Sequence, residues 1–206
     1  METIQEHALL LEALSDKVLH QLPPAVWKQL FLGKGRDSIR FEQRYLTLVH
    51  ADAELPAQQA GAATESFYQD LQRLNTLHHG RLDPYVDATA LVTFDDPGAA
   101  VRMAMQLQQA ANGLALRIGV VSGICTLAFF GAQGRLWCTP LGTQPARAAQ
   151  VAASAAVGGI VISPEAYEPS EIRLRSSNGT ADFQDSELDL ASLALDIAID
   201  GVDIRC

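Results

Sequence analysis

The segment LTLVHADAEL places an aspartate, Asp52, at the end of an apolar run. A carboxylate at a strand end can face a divalent cation, because hard cations take oxygen ligands. The same residue also suits a turn ahead of Leu55-Pro56, where Asp bonds nearby backbone. His50 stands two residues earlier, and period-two spacing puts both side chains on one face of a strand. A metal site built on the pair needs a third ligand, and none stands at a recognised spacing. A hydrogen-bonded core histidine is the alternative reading. Asp87, in VDATALVTF, is a second carboxylate in turn-like sequence. Ser122-Gly123 lacks the pattern that surrounds a nucleophilic serine. His78-His79 reads as a helix end, where a cationic side chain suits the dipole. Cys125, Cys138 and Cys206 have neither paired nor metal-like spacing. That usage fits a reducing cytoplasm, with Cys125 and Cys138 as buried thiols.

The chain that must position these groups has 206 residues and a formal net charge of −9. That charge argues against a nucleic-acid surface, which needs clustered Lys and Arg. Hydrophobic residues make up 48% and charged residues 19%, so a sizeable core is expected and whole-chain disorder is not. No apolar run is long enough to cross a bilayer as a helix. The N-terminus, METIQEHALLLEALSDKVLHQL, has no signal-peptide layout.

Ile4, Leu9, Leu11, Leu14, Val18 and Leu22 fall on one helical stripe. Pro23-Pro24 stops that helix, and Ala25–Leu32 resumes as a shorter one before Gly33-Lys34-Gly35. Phe41–Ala51 reads as a buried strand. After Pro56 a helix runs to His79, with Phe67, Leu71, Leu74 and Leu77 on one face and Gly80 as C-cap. Arg81–Val86 and Thr89–Phe94 form a hairpin. Asp95-Asp96-Pro97 starts a helix whose buried stripe is Ala100, Met103, Ala104, Leu107 and Ala111. Leu114–Val121 and Ile124–Phe130 read as two strands about a Ser122-Gly123 turn. An alanine-rich helix over Thr143–Ala156, a strand at Ile160–Ile162 and a short helix from Ser163-Pro164 follow. Short turns between strands demand antiparallel pairing. The pattern therefore predicts an α+β, ferredoxin-like fold: a mixed or antiparallel sheet with helices packed on one face. Three parts are expected: an N-terminal helical segment (1–35), a central domain (36–170) and an acidic C-terminal extension (171–206). The extension is read as a solvated, partly ordered terminus.

The order of VDATALVTFDDPGAAVRMAMQLQ, LALRIGVVSGICTLAFFG and CTPLGTQPARAAQVAASAAVGGIVISPEAY resembles a class III adenylate/guanylate cyclase homology domain. The resemblance spans about residues 22–167. It implies that family's catalytic-domain fold, a homodimer tendency and a place in intracellular signalling. A helix plus a proline-led short helix often precedes the domain and pairs across the dimer; packing on its own domain is the other option. Active members hold two metal-binding Asp, a base-reading Lys and Asp, and a catalytic Asn–Arg pair. Asp52 matches the first metal position. Counting back from Phe94 puts Ala88 at the second, unless a one-residue bulge brings in Asp87; a turn role for Asp87 is the simpler reading. Pro84 falls at the base-reading Lys and cannot donate a hydrogen bond. Thr143 falls at the base-reading Asp; some cyclases use Thr there and it could still hydrogen-bond a base, but capping the helix that follows is the simpler reading. Ala146 falls at the catalytic Asn and Gln150 at the catalytic Arg. Arg147 lies off that stripe and reads as a surface charge. ADAELPAQQAG also lacks the Gly-Phe-Thr segment whose backbone holds the triphosphate. These departures imply a catalytically inactive module for regulation, dimerisation or ligand binding, with a protein partner or an upstream sensor. No cofactor is then expected. The alternative is a divergent cyclase using Mg or Mn on Asp52 and Asp87.

Overall fold

The computed structural model describes residues 4–54, 60–84, 89–110, 114–132, 135–172 and 202–204. Helices α1 (Ile4–Val18) and α2 (Pro24–Phe31) come first, and a 3-10 turn at Lys34–Ser38 leads into the sheet. Strand β1 (Arg40–Glu54), helix α3 (Ala60–Leu77), strands β2 (Arg81–Leu82) and β3 (Thr89–Phe94), and helix α4 (Pro97–Ala110) follow. Then come β4 (Ala115–Ala132), β5 (Arg135–Leu141), α5 (Thr143–Ser154), β6 (Ile160–Ile162), α6 (Pro164–Tyr167) and β7 (Val202–Ile204). The sheet is mixed, in the order β2-β3-β1-β4-β6-β7, with β5 also on β4. β1 runs antiparallel to β3 and β4, whereas β4–β6 and β6–β7 are parallel. The α+β, mixed-sheet expectation holds.

Alternation along β1 divides the core. Val49 and Ala51 face one way and pack with Phe67, Leu71 and Leu74 of α3 and Ala100, Met103, Ala104 and Leu107 of α4. Leu46 and Leu48 face the other way and pack with Leu91, Val121, Cys125, Leu127 and Ala148 of α5. Successive strand side chains point to opposite faces, so α5 covers the face that α3 and α4 leave open. The sheet thus carries helices on both faces, not on one. A third cluster joins Leu11, Leu14, Val18, Val26 and Leu30 of α1 and α2 to Ile39, Ala128, Phe130 and Leu141. The first two helices therefore pack on their own chain. The Trp27 indole N–H also donates to the Ser15 carbonyl at 3.3 Å.

Several local expectations change. Ser122-Gly123 is no turn: β4 is continuous, because fifteen residues of β1 pair with it through that point. The Thr47 and Ser122 hydroxyls meet at 2.7 Å across the pair, so a buried serine stays satisfied inside a strand. Leu9 and Leu77 lie outside the stripes assigned to them and are exposed. The helix end before β2 takes its left-handed residue at His79 (φ 57°), not at Gly80. Gly80 is needed for space: a Cβ there would lie 2.6 Å from Val92 Cγ1 and 2.8 Å from Phe94. β5 and β7 were not foreseen, and β7 brings part of the 171–206 segment onto the sheet edge. The Asp96 carboxylate does start α4, accepting from the Gly98 and Ala99 amides at 2.9 and 3.1 Å. Ala111 and Asn112-Gly113 lie outside the described residues.

Candidate functional site

The site face is the one covered by α5. On β1 it carries His50 and Asp52, and the register sets Leu91 and Gly119 beside His50 and Thr89 and Arg117 beside Asp52. Helix α5 lies directly on this row. A Cβ at Gly119 would sit 2.5 Å from the Ala148 carbonyl oxygen and 3.0 Å from Ala152 Cα. Glycine on the strand and alanine on the helix are what allow that approach. His50 is buried, and desolvation pushes its pKa below the ordinary 6.5, partly opposed by the Asp52 carboxylate. The histidine is held as the neutral ring. Asp52 is partly exposed.

Magnesium or manganese in this fold needs several oxygen donors at once. Among the described residues no group of three or more His, Cys, Asp or Glu could hold a metal ion. Asp52 instead has Arg117 as its register partner on β4. Asp87 lies outside the described residues. Of the two candidate carboxylates, only Asp52 is therefore among the described residues.

Pro84 and Thr143, expected from the resemblance at the base-reading positions, lie at the hairpin and at the start of α5. Pro84 is exposed. Its neighbour Asp83 is the residue that turns inward, with its amide donating to the Leu91 carbonyl at 2.8 Å and its side chain 1% exposed. The Asp83 carboxylate accepts from the Thr139 hydroxyl at 2.8 Å and from the Lys17 ammonium at 2.6 Å. Lys17 also donates to the Pro140 carbonyl at 2.9 Å. At the other position Thr143 is exposed and begins α5, while Gly142 (φ 92°) takes the cap place expected of the threonine. Ala146 and Gln150 are both exposed on α5. Arg147 donates to both Glu165 carboxylate oxygens at 3.1 Å. The structure thus places Asp52 on the sheet and Thr143, Ala146 and Gln150 along one helix, with Pro84 at the hairpin.

Sequence reasoning passed over Lys17, Asp83 and Thr139. Asp83 and Pro84 lie within the Arg81–Val86 run read as a hairpin strand, and Lys17 sits in an ordinary amphipathic helix. No local pattern announces a pair 66 residues apart. Cys125 is buried as expected, its thiol pushed up to about 11 by desolvation; Cys138 is only partly buried.

No family model matches the chain, and no curated protein matches it. Among solved structures the chain is similar to the guanylyl cyclase Cya2, at 20% identity and TM-score 0.57, over 66% of this chain and 83% of that one. It is similar to the adenylyl cyclase CyaB from P. aeruginosa, at 23% identity and TM-score 0.52, over 62% and 81%. A third is the non-canonical dimeric guanylyl cyclase domain of the RhoGC fusion protein from the aquatic fungus Blastocladiella emersonii, at 13% identity and TM-score 0.54, over 62% and 84%. The fold is that of the class III adenylyl/guanylyl cyclase catalytic domain. Among the described residues no helix is long and apolar enough to cross a membrane.

Proposed function

We propose that the chain is a cyclase-homology module that has lost catalysis and works in cytoplasmic signalling, as a homodimer, by binding a protein partner or small ligand. The observation that carries this reading is on α5. By the resemblance, Ala146 and Gln150 fall at the family's Asn and Arg positions; both are exposed on α5, and the adjacent Arg147 is tied to Glu165. Cyclisation turns a ribose hydroxyl on a phosphate, and the growing negative charge needs a preorganised cation or donor. Removing one such donor typically costs about 10²–10³ in rate. Here both side chains are replaced, and Pro84 and Thr143 replace the base-reading pair. The homodimer rests on the resemblance and on the dimeric state of the RhoGC domain. A protein partner or an upstream sensor acting through the N-terminal helices fits a module without chemistry.

The second reading keeps an enzyme: a divergent nucleotidyl cyclase with Mg or Mn on Asp52 and Asp87. The retention of Asp52 on the α5 face favours it. Calorimetric titration with ATP or GTP and manganese, beside an assay for cyclic product, separates the two. The module reading expects no product above background. Robust product at low protein concentration overturns it.

A further inference from the structure

We infer that helix α1 is mechanically coupled, through Lys17, to the two strand ends that frame the site, so that its docking sets their order. Lys17 lies in the last turn of α1. Asp83 follows β2, and Thr139 and Pro140 close β5 just ahead of Gly142 and α5. One ammonium therefore bridges the carboxylate beside Pro84 and the carbonyl three residues before Thr143. These are the neighbours of the two positions at which the fold's base recognition has been replaced. The Asp83 side chain is 1% exposed and that of Lys17 19%. A carboxylate that deeply buried is tolerable only while it is paired and hydrogen-bonded. Thr139, fully buried, supplies one hydrogen bond, and α1 supplies the cation.

The consequence is a switch with two sides. Apolar packing of Leu11, Leu14 and Val18 seats α1 on the sheet. An input that lifts α1 withdraws the ammonium as well as that packing. The charge left on Asp83 then favours opening of the β2 end and of the β5–α5 junction, where water can reach it. Linkage makes the effect reciprocal: whatever binds the site face shifts α1 docking by the same factor. This rests on the module reading, since it describes how a fold without chemistry passes on a signal.

Hydrogen exchange read by mass spectrometry on the full chain tests it. Lys17→Met should raise exchange at least tenfold in residues 81–83 and 136–143 as well as in 4–18, and leave 97–110 at the wild-type rate. Lys17→Arg should restore protection. Adding Asp83→Asn to Lys17→Met should bring both strand ends back toward wild type, because the charge that Lys17 balanced is gone. Should Lys17→Met not fold, Lys17→Gln, which keeps donors but loses the cation, is read for the same pattern with the same outcomes. Faster exchange confined to residues 4–31 overturns the coupling, and so does an equal rise in every segment. Cyclic product in the assay above would remove the module reading while leaving this exchange pattern intact.

Discussion

Replacing Gly119 by alanine adds one methyl group at the closest contact between α5 and the sheet. The new Cβ would stand 2.5 Å from the Ala148 carbonyl oxygen, where ordinary contact begins at 3.4 Å. The shortfall is about 0.9 Å, and the obstructing atoms belong to the helix backbone, so no rotamer change relieves it. Either α5 shifts by roughly that distance or the strand bends. Overpacking of this kind costs about 1–3 kcal/mol. The smaller unfolded-state entropy of alanine returns about 0.4–1 kcal/mol. A net loss of about 1.3 kcal/mol follows. With a urea slope of about 2 kcal/mol/M, the unfolding midpoint should fall by about 0.6 M. Gly123→Ala is the internal control. Its Cβ meets the amide tip of Gln144, including Cδ at 2.7 Å, and a flexible side chain can swing aside. Its cost should stay below about 1 kcal/mol. Equal midpoints for the two variants, or a Gly119→Ala midpoint within about 0.2 M of wild type, would refute the close-packing argument.

The other expectations are simpler. His50 is held neutral, with its folded pKa below the ordinary 6.5. The unfolded state therefore binds more protons as the pH falls below about 6.5. Stability should be level above that pH, decline from there toward the lower folded pKa and flatten beneath it; His50→Gln should lose this slope in urea titrations at stepped pH. The Cys125 thiol, buried and raised to about 11, should resist a thiol reagent at pH 8 in the native protein and react once urea unfolds it. Ala146→Asn with Gln150→Arg should change stability by no more than about 0.5 kcal/mol, because both positions are exposed. That double variant should still yield no cyclic product, since Pro84 and Thr143 remain.

What could be read from the chain was what short-range pattern encodes. Period-two and period-3.6 runs placed β1, β3, α4 and α5, and Asp96 ahead of Pro97 did cap α4. Ser122-Gly123 misled because local chemistry there favours a turn, whereas pairing with all of β1 overrides it. β5 was missed because Arg135–Leu141 carries a proline and a tryptophan in a short run, and only its partner strand makes it a strand. The placement of Asp52 on β1 and of Thr143, Ala146 and Gln150 on α5 was legible through their spacing to recognisable segments. Asp83 was not. Its meaning comes from Lys17 and Thr139, 66 and 56 residues away, and no window of sequence holds all three.

On the module reading, the geometry of α5 lets the fold survive the loss of its reaction. Thr143, Ala146 and Gln150 fall three and four residues apart, so they share one stripe of the helix. Ala148 and Ala152, buried against the sheet, lie about half a turn away on the other side. Packing and chemistry thus sit on opposite faces of the same element. Substitution on the outer stripe removes donors and cations without touching the contact that seats the helix. Substitution on the inner stripe would displace the helix itself. The fold is therefore under a constraint that the catalytic positions escape. The packing that holds α5 on the sheet is thus separate from the outer stripe, which is what the proposed coupling module requires.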